Sequence, residues 1–180
     1  MKNLLIFITL LGLIVSCSSE KSPNKQGSEF HTTPPSLLYF KNIRSTSYTQ
    51  TEQANTRVEL YQLKKLDLNP NRPIIYPIIA NNWLSEEAYL LIKTNDYVNG
   101  FKEIAIEWEE NNETKSLSIG TPNFENQYQF GLTIYELLNK GVDIRTRDKL
   151  DNVANLFDNY GDKSAFQTTM NDYLKLVEKK

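Results

Sequence analysis

Polarity along the chain falls into four regimes. Leu4 to Val15 is a nearly unbroken apolar run, and residues 18–35 are polar and aperiodic. From Ser36 to Ile119 apolar positions recur mostly at every second residue, and beyond Ile119 they recur at helical spacing. A period of two marks half-buried strands and a period of 3.6 marks amphipathic helices.

The alternating region predicts short strands at Leu37–Phe40, Arg57–Leu63, Ile74–Ile79, Ala88–Lys93, Phe101–Glu109 and Lys115–Ile119. Turn formers stand between several of them, at Asn69-Pro70-Asn71, Asn81-Asn82, Asn99-Gly100 and Asn111-Asn112. The last two strands form the clearest pair. Ile104, Ile106 and Trp108 point one way and Glu103, Glu107 and Glu109 the other. A hairpin with one dry and one wet face belongs to an antiparallel sheet.

The helical region predicts a largely buried helix that opens with Thr121 as N-cap and Pro122 at the first position, and closes at Gly141. Phe124, Tyr128, Tyr135 and Leu138 form one of its stripes, and Phe130, Ile134 and Leu137 a second. Gly131 in its middle costs about 1 kcal/mol of propensity, which points to a close backbone crossing. A short helix is expected around Asp148–Asp158, presenting Leu150, Val153, Ala154 and Phe157. A last helix is expected from Ser164, with Gln167 completing a capping box and Phe166, Met170, Tyr173 and Val177 facing inward. Strands followed by helices predict an α+β domain: an antiparallel sheet of about six strands with about three C-terminal helices on one face.

The N-terminal run is too short to span a bilayer as a helix, since crossing takes ~20 apolar residues. Lys2 precedes it and Ser18-Ser19-Glu20-Lys21 follows it abruptly, the arrangement of a cleavable export signal. Ile14, Val15, Ser16 and Cys17 resemble, position by position, the lipobox of the bacterial lipoprotein signal, with its aliphatic residue three before the cysteine and small residue directly before it. The resemblance implies that the Cys17 thiol carries a diacylglyceryl group, that cleavage falls between Ser16 and Cys17, and that the freed amine is acylated in turn. Two or three chains on one cysteine hold a protein stably at a membrane, where a single chain does not. In families with this signal an Asp after the cysteine favours the inner membrane; Ser18 stands there and favours the outer membrane, with the periplasmic face preferred over the cell surface. The Asn- and Lys-rich composition and the Cys-Ser-Ser start are similar to lipoproteins of the Bacteroidetes type.

This organisation predicts a signal peptide over 1–16, a lipidated cysteine and flexible tether over 17–35, and a single domain over 36–180. The mature chain would carry 19 basic and 22 acidic side chains, a charge of −3 that gives no nucleic-acid signature. Cys17 is the sole cysteine, so stability must come from packing rather than disulfides. Eighteen Phe and Tyr and two Trp can supply it.

Candidate chemistry is sparse. The chain has no GxSxG, P-loop, GxGxxG, HExxH or CxxC, and its single histidine, His31, falls in the expected tether. That argues against Ser-His-Asp catalysis and His-rich metal sites, and no cofactor is expected. Glu103, Glu107, Glu109, Glu110 and Glu113 form an acidic cluster in which Glu107 and Glu109 share a strand face; a solvated outer face explains them better than a cation site, because a strand splays its carboxylates. Asp158-Asn159-Tyr160-Gly161-Asp162 reads as a turn capping the last helix, and Asp143, Asp148 and Asp151 are weak candidates for acid–base work. The most suggestive surface feature is Trp83, after Asn81-Asn82 and together with Tyr76 and Tyr89: an aromatic platform for a glycan or partner protein, or a lid on the core. These features lead to a lipid-anchored envelope module that binds, assembles or confers immunity, rather than an enzyme. The alternative is an envelope hydrolase working through acidic residues.

Overall fold

A computed structural model describes residues 30–53, 56–69, 71–98, 103–120, 123–148 and 151–179. The Ser16–Cys17 junction, the tether through residue 29, the Asn99-Gly100 turn and the Thr121-Pro122 helix start lie outside the described residues. Among the described residues the fold is α+β, with three helices and eight strands in two antiparallel sheets.

The chain enters through α1 (Pro34–Tyr39), which continues as a π-helical turn (Phe40–Arg44) and a 3-10 turn (Ser45–Ser47). The strand expected at Leu37–Phe40 is therefore helical. A short apolar run does not distinguish strand from helix, and the local cap decides. Thr33 Oγ1 accepts from Ser36 N and Ser36 Oγ accepts from Thr33 N at 3.1 Å, with prolines in the first turn.

The first sheet is a meander of β1 (Tyr48–Gln53), β2 (Val58–Leu63), β3 (Ile75–Asn82) and β4 (Glu87–Thr94). Tyr61 pairs with Ile79 and Ile79 with Leu90, so their side chains share the inner face. β1 has no apolar alternation, because an edge strand exposed beyond Tyr48 needs none. The second sheet has the order β6-β5-β7-β8, built from β5 (Ile104–Glu110), β6 (Glu113–Ile119), β7 (Ile144–Arg147) and β8 (Val153–Leu156). The helix expected at Asp148–Asp158 is thus a hairpin arm. Asp151 takes a left-handed φ of 64°, and Asp148 Oδ1 accepts from Asn152 N at 2.9 Å, turning the chain before a helix can form.

Two long helices join the sheets. α2 (Phe124–Lys140) starts on Asn123 rather than on the expected Thr121, because the Asn123 side chain accepts from Asn126 N at 2.7 Å, and it ends at Gly141, whose φ of 72° terminates it as expected. α3 (Tyr160–Leu176) starts on Asn159, earlier than Ser164, with the Asn159 carboxamide accepting from Gly161 N at 2.7 Å. α2 packs on β4 and β6, α3 packs on β3 and β4, and the helices touch each other. Tyr61, Ile79 and Leu90 from one sheet and Ile106, Ile119, Ile144 and Leu156 from the other meet the helices in one core.

The β4 edge is covered at both ends. Thr32 N donates to Glu86 O at 2.8 Å and Ala88 N donates to Phe30 O at 2.9 Å, so the chain adds a short antiparallel stretch. Further along, Ile92 N donates to the Gln127 side chain at 2.8 Å. Covering an edge removes a template for aggregation. Phe30–Pro35, expected in the tether, thus belongs to the domain; an aperiodic stretch hides an edge pairing because its partners are backbone atoms.

Candidate binding surfaces

Three buried or half-buried carboxylates hold the fold together. Asp172 on α3 accepts from Tyr48 Oη at 2.7 Å and Arg44 Nε at 2.8 Å. Asp162 pairs with Arg72, which also reaches Asp67 at 3.4 Å. Glu59 on β2 meets Lys41 Nζ at 3.0 Å and accepts from Tyr61 Oη at 2.9 Å, Asn81 Nδ2 at 3.1 Å and Gln50 Nε2 at 3.3 Å. Burial pushes the Glu59 carboxyl upward, but its bonds from Lys41, Tyr61 and Asn81 outweigh that and hold it below the ordinary glutamate value. Each acid is matched by a cation, which is the arrangement of a structural ion pair rather than a poised general acid.

Three acids of the β5–β6 cluster are matched in the same way. Glu107 pairs with Arg147 at 3.1 Å, Glu109 with Arg145 at 2.7 Å, and Glu110 with Lys115. Hydrogen bonds from Arg145 and Lys115 lower the Glu109 and Glu110 carboxyls respectively. Among the described residues no group of three or more His, Cys, Asp or Glu is placed to hold a metal ion. Asp151 pairs with Arg147, and Asp148 is spent on its own turn.

The three aromatic residues expected to form a platform are not brought together. Tyr76 lies near the start of β3 and Trp83 just beyond its end, so the length of the strand, about 20 Å, separates them. Tyr89 stacks on Phe124, with centroids 3.9 Å apart, and packs against Phe30. Burial and its bond to Glu87 push its phenol up to about 12. Trp83 stands in the β3–β4 turn, 45% exposed, with the Arg57 guanidinium 6.0 Å from its ring, so it is not a lid on the core. Leu84 beside it is 60% exposed.

A different surface has the shape of a binding site. A groove of about 710 Å³ runs between the 3-10 turn, the end of β2 and the first half of α3. Arg44, Lys64 and Lys65 line it, with the hydroxyls of Tyr160, Ser164 and Thr168, and none of its described lining residues is acidic. Arg44 is tied to Asp172, and Lys64 Nζ donates to Thr46 O at 2.9 Å. Sequence reasoning missed this groove because its residues come from three distant segments; the Lys64-Lys65 pair at a strand end was the one local sign.

No family model, no curated protein and no solved structure matches the chain. Among the described residues no helix is long and apolar enough to cross a membrane.

Proposed function

We propose that this protein is a lipid-anchored protein of the outer membrane that works by binding, as a partner-binding, assembly or immunity-type module, and that the groove beside α3 receives an anionic surface of its partner. Support for the anchor is the lipobox-like Ile14-Val15-Ser16-Cys17. The observation that carries the binding half is a groove lined by Lys64, Lys65 and the Asp172-paired Arg44, with no acid among its described lining residues, in a chain of net charge −2. Local positive potential in a concave surface raises the concentration of anionic groups there.

Fractionation of cells making the wild type and Cys17→Ser tests the anchor. The wild type is expected in the outer-membrane fraction with incorporated palmitate, and the variant in the soluble fraction or as a precursor. Unchanged membrane attachment without palmitate overturns the anchor. For the groove, a photo-crosslinker at Thr168 should give a defined adduct in cells that disappears with Lys64→Glu and Lys65→Glu. An adduct indifferent to both reversals overturns the groove as the binding surface.

A further inference from the structure

We infer that the β3–β4 turn, through Trp83 and Leu84, rests in the interfacial layer of the bilayer to which Cys17 is attached; this rests on the lipid-anchor reading above. The geometry points there through the place where the chain joins the domain. Thr32 pairs with Glu86 and Phe30 with Ala88, so the segment leading back to Cys17 meets the fold at the hairpin that carries Trp83 and Leu84. Twelve residues separate Cys17 from Phe30, a reach that cannot exceed about 45 Å even fully extended. The lipid therefore tethers the domain at this end of the first sheet and keeps that end within reach of the membrane.

The chemistry of the turn suits that position. Large side chains with an apolar body and a polar handle favour the bilayer–water interface, and Trp is foremost among them. Arg57, held over the Trp83 ring, places a guanidinium at the same tip, where a headgroup phosphate is its natural partner. Leu84, beside Trp83, adds exposed apolar surface at the same tip. Acyl chains give attachment but leave the domain free to rotate, whereas a second, protein-borne contact fixes which face it presents. With the tip on the bilayer, the groove beside α3 keeps a fixed relation to the membrane plane.

The chain contains two tryptophans, and the indole nitrogen of Trp108 is buried, so Trp108 serves as an internal reference. Mature lipidated protein is reconstituted into phosphatidylethanolamine–phosphatidylglycerol vesicles, with and without brominated acyl chains, and followed by flotation and tryptophan emission. The expected result is co-flotation with loss of an emission component in brominated vesicles, a loss absent from Trp83→Phe. Leu84→Ser should weaken the quenching without affecting flotation. Protein that floats but shows equal emission in both vesicle types, or equal quenching in Trp83→Phe, overturns the contact and leaves the anchor standing. A blue-shifted Trp83 that bromine does not quench marks a protein occupant and also overturns it. Protein that fails to float overturns the anchor and the contact together.

Discussion

Tyr48 donates its phenol hydroxyl to Asp172 over 2.7 Å, tying the first residue of β1 to the C-terminal half of α3. Arg44 takes the other carboxylate oxygen at 2.8 Å, and Asp172 is itself only 4% exposed. Burial, followed by the bond to Asp172, pushes the Tyr48 phenol well above its ordinary value, so it stays a donor. Asp172→Ala leaves a buried hydroxyl and a half-buried guanidinium without their acceptor and should cost about 2–4 kcal/mol. Tyr48→Phe removes one donor and should cost about 1 kcal/mol. Urea unfolding of both variants and the double variant checks this; purely additive losses would show that the two residues do not act as a unit.

Gly131 is where α2 passes over β4. A Cβ there would stand 2.5 Å from Leu90 Cδ2, 3.2 Å from Ile92 Cδ1 and 3.4 Å from Met170 Sδ. Ala in a helix gains ~1 kcal/mol over Gly, but overpacking a close-fitting core costs about 1–3 kcal/mol. Gly131→Ala should be net destabilising, and Leu90→Val combined with it should recover part of the loss. A stabilised single variant would mean that Leu90 swings aside freely.

Glu59 makes stability depend on acid. Its carboxyl is held below the ordinary value, so the folded state gains from it above the unfolded glutamate range and loses that gain as pH falls through the folded value. Unfolding midpoints should therefore drop between about pH 5 and pH 3. Glu59→Gln should lose about 1–2 kcal/mol near neutrality and show a shallower acid slope. An identical slope in wild type and variant would remove Glu59 from that account.

Phe30 sits among Tyr89, Tyr128 and Lys179, with centroid distances of 5.5 Å and 6.1 Å to the two rings. Phe30→Ala should cost about 1–3 kcal/mol, because it strips an aromatic anchor from the covered edge of β4. Thermal unfolding is the measurement; a melting temperature equal to wild type would return residues 30–35 to the tether.

Most of the fold could be read from the chain because its signals are local. Five of the expected strands have counterparts, at β2 to β6, where alternation such as Ile104-Ile106-Trp108 opposes Glu103-Glu107-Glu109. The Gly141 stop and the buried Tyr128, Phe130, Ile134, Leu137 and Leu138 of α2 are equally local, while Phe124 of the first stripe is exposed. Failures came where pattern is silent or ambiguous: Leu37–Phe40, too short to show a period; Tyr48–Gln53, a polar edge strand; and Val153–Leu156, whose spacing also suits a helix. The candidate surfaces were least legible. Tyr76, Trp83 and Tyr89 are near in sequence yet are set apart by strand length, whereas Arg44, Lys65 and Thr168 are distant in sequence and line one groove.

By itself the sequence determined the class of the domain, the alternation that makes its central strands, the Gly141 stop of α2 and the lipobox resemblance at Cys17. Each depends on residues within a few positions of one another. Only the tertiary structure decided that the acids are paired, that Phe30–Thr32 closes the β4 edge, that two sheets share one core, and that Trp83 stands at a free tip beside the point where the chain joins the fold. Those relationships are set by which distant backbones and charges come within a few ångströms, and no local period records that.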